Sequence, residues 1–476
     1  MSVWGRLLVS KKYSDGYRAK RAADPERLAA LDVITQVRED GAFANLVSAA
    51  TFSDYGLSGR DAAFALELAY GTLRMRGFYD AVLAQCSKLP LSDLDPLILD
   101  VLRMGAHQLL SMRVPPHAAL AQTVDVARHV SSDGPSRLVN AVLRRVSESS
   151  LEQWTQRVTE GLPDLEAQSV RFSHPLWITR AFYESLASQG RESLLPELLQ
   201  ADNRAPKVTL VARPGLISRE ELLEEVGGRG EPGGLASTSV ILTSGVPGKV
   251  AAVREGLAAV QDEGSQLVTE LFLGAELEGR DERWVDMCAG PGGKAALMVG
   301  RAQQTGAFVL ANELHQHRAR LVAKTLRAFP RGGFRIRVGD GSTLPADERV
   351  EQPVDRILLD APCTGLGSLR RRPESRWARA PKDLRDLLQT QRKLWGAAFE
   401  MLRPGGLLGY ITCSPHLAET RDQVHAMLDA GGCSLVDITQ AAARCGVIAL
   451  PDGTVQLWPH VDGTDAMFLA VLRKDA

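Results

Sequence analysis

Two cysteines each follow a short apolar run that is typical of a buried strand. Cys363 comes just after RILLDAP, and Cys413 comes directly after LLGYIT. Most free cysteines pack inertly, but two at equivalent strand ends, with Asp360 close to one of them, favour a reactive pair. A zinc site is the alternative, with His416 the nearest histidine. Neither cysteine lies in a C-x-x-C pair or near a histidine of standard spacing, so we expect no metal.

A glycine-rich turn follows another apolar run, WVDM. It comprises Cys288, Ala289, Gly290, Pro291, Gly292, Gly293 and Lys294. Glycines let the backbone approach a ligand closely, and a helix N-terminus after such a turn favours polar or negative groups. Ala295 follows the lysine where a nucleoside-triphosphate P-loop has Ser or Thr, which argues against such a loop. Taken alone, the motif fits both a cofactor turn and a purely structural turn.

Acidic residues end the next two predicted strands. Glu313 lies about 20 residues after the glycine turn, where a carboxylate accepts hydrogen bonds from the hydroxyls of a ribose. Asp340 ends the following strand, and we expect it to bond an adenine amino group. The alternatives are an exposed helix cap for Glu313 and a plain turn aspartate for Asp340. Together with the turn, the two carboxylates favour a ligand that contains adenosine.

The elements that position these residues alternate between strands and helices from residue 259 onward. The predicted strands are the runs WVDM, FVLA, FRIRV, RILLD, LLGYIT and AMFLAVL, and the helical segments include 315–328 and 382–402. This alternation predicts an α/β domain at 259–476 with a parallel, doubly wound sheet. Ligands of such folds bind at the carboxyl ends of the strands, where the residues described above lie.

The chain before residue 259 has three predicted parts. Residues 23–150 show helical periodicity throughout, with an aspartate and a proline at two helix starts, and predict an all-α domain of about five helices. Residues 151–258 predict a small mixed α/β module. Residues 1–22 form a basic arm with interleaved aromatic side chains, for which a solvated, mobile terminus is the alternative.

The 476-residue chain has the composition of an ordinary globular protein of about three domains. Hydrophobic residues make up 45%, and 56 basic side chains oppose 57 acidic ones, so the net charge excludes no partner. No run approaches the ~18 consecutive apolar residues of a membrane span, and the start is too weakly apolar for a signal peptide. Six cysteines without C-x-x-C pairs argue against a disulfide framework. We expect a soluble, cytoplasmic protein with no membrane partner.

The motifs DMCAGPGGK, LLDAPCTG and YITCSP resemble those of the RNA cytosine-5 methyltransferases that use S-adenosylmethionine, including the bacterial Sun-type ribosomal RNA enzymes. Residues 24–148 resemble the NusB antitermination factor, which is fused to the methyltransferase in the Sun-type branch, and HPLWI and ADNRAPKVTL match the module between them. The resemblance covers roughly residues 23–476. It implies a NusB-like helical RNA-binding domain, a small α/β RNA-binding module and a Rossmann-like class I methyltransferase sheet. The chain departs from the family at Asn312-Glu313, where an aspartate is commoner, and at SPHLAET after the second cysteine.

The resemblance implies a role for each reactive residue. Cys413 would add to carbon 6 of a cytosine and so make carbon 5 nucleophilic enough to take a methyl group. Asp360 would bond the base as charge develops on it, and Cys363 would help break the covalent adduct. Lys294 would favour a thiolate or position the base, with a plain loop cap as the alternative. DNA cytosine-5 methyltransferases use a Pro-Cys pair, as in Pro362-Cys363, but the T-C-S motif at 412–414 favours the RNA-type assignment.

The implied cofactor is S-adenosylmethionine, held by the glycine turn with Glu313, Asp340 and Asp360. The implied partner is RNA, most simply the small-subunit ribosomal RNA, bound by a monomer. A basic cluster after Cys363 is predicted to grip phosphates around a flipped base, with a solvated loop as its alternative. The cluster consists of Arg370, Arg371, Arg372 and Arg376. The alternative functions are the same chemistry on transfer RNA or another RNA, and a non-catalytic RNA-binding assembly or antitermination factor.

Overall fold

The computed structural model describes residues 23–475, so the predicted basic arm at 1–22 lies outside the described residues. Contacts divide the chain into two compact units. The first runs up to Arg180 and also contains Arg371–Ala378, and the second contains Ala181–Arg370 and the chain from Arg379 onward. Residues 151–180 therefore lie in the first unit. The domain boundaries at 150 and 258 stay sequence-based predictions.

The first unit is all-helical, which confirms the predicted class. Pro25 and Pro96 occupy the first positions of two helices, where a missing N–H leaves no bond unmade. Asp95 caps the second of these, since its carboxylate accepts a hydrogen bond from the Leu97 N–H at 2.8 Å. The helices are α1 (Pro25–Asp40), α2 (Ala44–Asp54), α3 (Gly59–Arg74), α4 (Arg76–Cys86), α5 (Pro96–Leu110), α6 (Pro116–Val130), α7 (Asp133–Val146), α8 (Leu151–Thr159), α9 (Asp164–Arg171) and the start of α10 (Leu176–Ala187).

The second unit begins with a small antiparallel sheet, which fits the predicted mixed α/β module. Its strand order is β2-β3-β1-β4, and β1, with the sequence VTLVA, is one of its two inner strands. Leu210, Val240 and Leu222 share the apolar core of this module. The elements are α11 (Leu195–Asp202), β1 (Val208–Ala212), α12 (Arg219–Val226), β2 (Gly230–Pro232), β3 (Ser239–Leu242), α13 (Ala251–Glu255) and β4 (Ala258–Val260).

A larger sheet of eight strands makes up the rest of the second unit. Its elements are α14 (Glu263–Gly274), β5 (Arg283–Asp286), α15 (Gly293–Thr305), β6 (Phe308–Glu313), α16 (Gln316–Thr325), β7 (Phe334–Val338), β8 (Val354–Asp360), α17 (Ser375–Ala378, in the first unit), α18 (Pro381–Met401), β9 (Leu402–Thr412), α19 (Arg421–Asp429), β10 (Cys433–Leu435), α20 (Thr439–Arg444), β11 (Val455–Gln456) and β12 (Phe468–Lys474). The strand order is β10-β12-β9-β8-β5-β6-β7, with β11 paired to β12.

Strands β5 to β9 pair in parallel, as predicted, but β12 runs antiparallel to β9. The run AMFLAVL is a strand as expected, but the predicted parallel direction is wrong for it, because a fully apolar run carries no signal for parallel or antiparallel pairing. The carboxyl ends of β5, β6, β8 and β9 therefore meet at one edge of the sheet. The confirmed Rossmann-like architecture places the reactive motifs at that edge.

Apolar cores cover both faces of the large sheet. Leu407 and Ile411 of β9 pack with one core, which includes Phe272 and Met298 of helices α14 and α15. Leu408 and Tyr410 face the other core, which includes Leu394 of α18 and Val424 of α19. This alternation along one strand is the period of two that a sheet buried on both faces requires. Within residues 23–475, no helix combines the length and apolarity that crossing a membrane takes.

Candidate active site

The two cysteines singled out by sequence lie side by side at the sheet edge. The Sγ atoms of Cys363 and Cys413 are 3.4 Å apart, and both residues are partly exposed. The hydrogen bond between them lowers the pKa of Cys413 and raises the pKa of Cys363, so that Cys363 donates its S–H and Cys413 accepts. Burial opposes the lowering, and the nearby Lys294 ammonium adds to it. The pair is therefore asymmetric, with the thiolate favoured at Cys413.

Lys294, at the end of the glycine turn, is joined to the end of β8. Its Nζ donates to Asp360 Oδ2 at 2.8 Å. Burial alone would lower the pKa of Lys294, but the Asp360 carboxylate raises it above its usual value. The ammonium consequently stays charged beside the cysteine pair.

Asp286, the last residue of β5, is a buried acid that the sequence reasoning did not single out. Burial, reinforced by the nearby Asp360 carboxylate, raises the pKa of Asp286 to about 8. Its Oδ1 accepts the Cys288 N–H at 3.3 Å, and its Oδ2 has no hydrogen-bond partner among the described residues. The sequence feature that could have identified Asp286 is its position directly before the Met-Cys-Ala-Gly turn.

The glycine turn wraps around the carboxylate of Glu313. The Gly290 N–H donates to Glu313 Oε2 and the His315 N–H to Oε1, both at 3.0 Å. A Cβ at Gly290 would lie 2.2 Å from Glu313 Oε2, so this approach requires glycine. Gly292 adopts φ +114°, and a Cβ there would lie 2.8 Å from the Thr325 Cβ. The turn thus has two positions at which no side chain fits.

The remaining residues of the turn contribute mainly backbone. Ala289 is buried, and its N–H donates to the Asn312 carbonyl at 2.8 Å. Pro291 is exposed, and Gly293 begins α15. Burial raises the pKa of the Cys288 thiol well above its usual value, which leaves this cysteine protonated and unreactive.

Asp340 lies at the exposed end of the site. Its Oδ1 accepts the Ser342 N–H and the Ser342 hydroxyl, both at 2.8 Å, and so caps the short turn Gly341–Ala346. This is the local role that the turn-aspartate alternative expected. Contacts of Glu313 with a ribose and of Asp340 with an adenine stay predictions. Asn312, which the sequence reasoning did not use, binds the backbone oxygens of Met287 and Gly339 and so joins the ends of β5 and β7.

The predicted phosphate-gripping arginines are mostly engaged inside the protein. Arg376 is fully buried, and its Nη1 donates to the Arg74 and Ser173 carbonyls. Arg370 is 7% exposed and donates to the Gly463 carbonyl at 3.0 Å. These placements argue against phosphate contacts for both residues, since a grip on RNA needs an accessible guanidinium.

Arg371 and Arg372 are half-buried. The Arg372 guanidinium stacks 4.7 Å from the centre of the Phe43 ring within the first unit. Spacing along the chain could not reveal such contacts, because the partners lie far away in sequence, for example 93 residues from Arg370 and 302 residues from Arg376. Within residues 23–475, no group of three or more His, Cys, Asp or Glu side chains is arranged to hold a metal ion.

Comparison with known proteins shows which families the chain matches. Residues 276–473 match the family described as 16S rRNA methyltransferase RsmB/F, and residues 24–148 match the NusB family. A Mycobacterium tuberculosis protein named as a methyltransferase is 43% identical over 96% of this chain and 98% of its own length. Ribosomal RNA small subunit methyltransferase B of Cronobacter sakazakii is 31% identical over 90% of this chain and 95% of its own length.

Two solved structures share the fold. PH0851 superposes with a TM-score of 0.77 at 21% identity and covers 96% of this chain and 100% of its own. NSun6 from Pyrococcus horikoshii, solved with SFG, gives a TM-score of 0.53 at 18% identity over 62% of this chain and 98% of its own. The shared fold, together with the family models and the 31% identical relative, confirms the resemblance to Sun-type methyltransferases with a NusB-like domain. The chain therefore belongs to the RsmB/F family of 16S rRNA methyltransferases and carries a NusB domain at its helical end.

Proposed function

We propose that this protein transfers a methyl group from S-adenosylmethionine to carbon 5 of a cytosine in small-subunit ribosomal RNA, through a transient bond between Cys413 and carbon 6. The observation that carries this proposal is the asymmetric sulfur pair. The Cys363 thiol lies 3.4 Å from the Cys413 sulfur and lowers its pKa, beside the Lys294–Asp360 ion pair. A thiolate next to a second thiol that can later act as a base is suited to covalent attack followed by release.

The glycine turn fits S-adenosylmethionine. The absence of a side chain at Gly290 lets the backbone of the turn lie against the Glu313 carboxylate, whose Oε2 accepts the Gly290 N–H at 3.0 Å. The turn with Glu313 and Asp340 would hold the adenosine part, and Asp360 would lie near the reactive end. When bound, S-adenosylmethionine supplies an electrophilic methyl group on a sulfonium.

The chain's own residues account for the activation of cytosine. The Cys413 thiolate forms a bond to carbon 6, and the electron pair of the 5,6 double bond shifts so that carbon 5 becomes nucleophilic. Asp360 accepts a hydrogen bond from the exocyclic amine of the base, and the Lys294 ammonium, 2.8 Å from this carboxylate, stabilises the negative charge that develops on the ring. Carbon 5 then carries both the new methyl group and its original hydrogen.

Release follows from the same pair of sulfurs. Once Cys413 is bonded to carbon, its negative charge is gone, and with it the main cause of the raised pKa of Cys363. Cys363, which is partly exposed, can then release its thiol proton to water, and the resulting thiolate accepts the hydrogen of carbon 5 as a proton. The C–H electron pair restores the double bond, the carbon–sulfur bond breaks, and Cys413 leaves as a thiolate. The opposite assignment, with Cys363 as nucleophile, would require attack by the sulfur that holds its proton more tightly.

Nucleoside analysis tests this function. RNA from cells that lack the protein is incubated with the purified protein and S-adenosylmethionine labelled in the methyl group, and the product is digested to nucleosides. We expect the label in 5-methylcytidine from the small-subunit RNA, and no label with Cys413→Ala. Label in another nucleoside, or full labelling by Cys413→Ala, would overturn the chemistry. Label confined to transfer RNA would overturn only the substrate.

A further inference from the structure

A buried carboxylate lies beneath the two cysteine loops and takes no part in the chemistry proposed above. Glu419 ends the short turn Leu417–Glu419 after the second cysteine, and it is 0% exposed. It therefore cannot touch a substrate in this arrangement. A buried carboxylate is tolerated only where several donors satisfy it, so its partners indicate its role.

The partners of Glu419 lie in the loop that carries Cys363. The Thr364 N–H donates to Glu419 Oε1 at 2.8 Å, and the Thr364 hydroxyl donates to Oε2 at 2.5 Å. The Gln391 amide donates to the Pro362 carbonyl at 2.8 Å and lies 3.4 Å from Glu419 Oε1. Of the two residues that flank Cys363, Thr364 is thus held directly by Glu419, and Pro362 is held through Gln391.

Glu419 is also tied to the strand end that carries Cys413, through its backbone carbonyl and through Thr364. The Tyr410 hydroxyl donates to the Glu419 backbone carbonyl at 2.9 Å, and the Ser414 and Thr364 hydroxyl oxygens are 3.2 Å apart. The Thr364 hydroxyl gives its proton to Glu419, so it accepts the proton of Ser414. Glu419 is consequently the common anchor of both loops.

We propose that Glu419 is a positioning residue, which holds Thr364 so that the Cys363 thiol reaches the Cys413 sulfur. Because charge-assisted hydrogen bonds to a buried carboxylate are strong and directional, their loss would let the Cys363 loop move relative to Cys413. The role in catalysis rests on the proposed function, but the geometry it explains, the 3.4 Å sulfur separation, does not.

The test measures the reactivity of the cysteine pair in the absence of RNA and cofactor. Alkylation of Cys413 by iodoacetamide is followed across pH by peptide mass spectrometry. The groups that influence this thiol are Cys363, Asp360, Lys294 and Asp465, and only the first is held by Glu419. Cys363→Ala should raise the pH midpoint of alkylation by about one unit, because the hydrogen bond to the thiolate is lost.

We expect Glu419→Gln to shift the midpoint in the same direction, and the double variant Glu419→Gln with Cys363→Ala to shift no further than Cys363→Ala alone. Thr364→Val, which keeps the N–H bond but loses the hydroxyl bond, should give part of the shift, and Thr364→Ser should restore the wild-type midpoint. Glu270→Gln is the matched control, because Glu270 accepts from the N–H and hydroxyl of Thr238 in the same way, but next to the small sheet.

A wild-type midpoint in folded Glu419→Gln, or a shift that adds to that of Cys363→Ala, would overturn the positioning role. If Glu419→Gln does not fold, Thr364→Val decides, and a wild-type midpoint there overturns it as well. The outcome is separable from the proposed function. If the variants shift the pH midpoint of Cys413 alkylation as expected but the protein makes no 5-methylcytidine, only the proposed methyl transfer is contradicted. If the protein makes 5-methylcytidine but Glu419→Gln leaves the midpoint unshifted, only the role of Glu419 is contradicted.

Discussion

The Nζ of Lys294 lies 2.8 Å from Oδ2 of Asp360, which joins the first turn of α15 to the carboxyl end of β8. This bond links the proposed cofactor turn to the residue proposed to contact the base. The ammonium also favours the thiolate form of Cys413. One side chain therefore couples the two halves of the site.

Replacement of this lysine should slow the chemistry more than it weakens binding. In Lys294→Met the charge that favours the Cys413 thiolate and supports Asp360 is lost, and we expect the single-turnover methylation rate to fall by roughly 100-fold. Lys324→Met, which removes an exposed lysine of α16, is the control and should keep the wild-type rate. A wild-type rate for Lys294→Met would show that this lysine only caps the loop.

The glycine turn can be tested by adding a single methyl group. The Cβ of Gly290→Ala would lie 2.2 Å from Glu313 Oε2, so either the turn or the carboxylate must move. We expect binding of S-adenosylmethionine, measured by calorimetry, to weaken by roughly tenfold or more.

Gly396→Ala is the matched control for this substitution. Gly396 lies within α18, and a Cβ there meets nothing within 4 Å. Cofactor affinity should stay unchanged, while the free energy of unfolding rises by about 0.5–1 kcal/mol from helix propensity. Equal affinity of both variants for S-adenosylmethionine would remove the turn from the cofactor site.

Asp286 should make the stability of the protein depend on pH. Its pKa is about 8 in the folded protein, well above the ordinary value of 3.8, so the folded state keeps a proton that the unfolded state loses. The contribution of Asp286 to the free energy of unfolding therefore falls as the pH rises from about 4 to about 8. The slope is about 1 kcal/mol per pH unit, and the contribution is constant above about pH 8.

Urea unfolding of the wild type and of Asp286→Asn between pH 5.5 and 8.5 measures this contribution, because other titrating groups largely cancel in the difference. We expect the wild type to lose stability relative to Asp286→Asn as the pH rises. A difference that stays flat, or that grows in favour of the wild type, contradicts the raised pKa.

Arg376 should prove to be a structural residue. Its buried guanidinium binds two backbone carbonyls, and Arg376→Ala leaves these groups and a cavity behind. We expect a loss of about 2–4 kcal/mol in the free energy of unfolding and no change in the salt dependence of RNA binding. The exposed Arg379 supplies the control variant Arg379→Ala. If Arg376→Ala leaves the stability unchanged but lowers by about one the slope of log RNA affinity against log salt concentration, Arg376 contacts a phosphate after all.

The difference between Arg376 and Cys413 illustrates what the sequence can predict. Cys413 directly follows the apolar run LLGYIT, which is visible locally, so its place at the carboxyl end of a strand follows from the pattern. Arg376 and its partner Arg74 are 302 residues apart along the chain, and the partners of Glu419 are up to 55 residues away. Burial of these charged residues depends on such distant contacts. A basic cluster therefore looks the same in sequence whether it faces solvent or the core.

The most direct measurement of the central claim is the identity of the cysteine that bonds to RNA. Cys363→Ala is incubated with small-subunit RNA and S-adenosylmethionine, digested with protease and nuclease, and the adduct peptide is sequenced by tandem mass spectrometry. We expect a methylated cytosine nucleotide on Cys413 in this variant, and no adduct with Cys413→Ala. An adduct that persists in Cys413→Ala, with Cys363 carrying the nucleotide, would contradict the central claim.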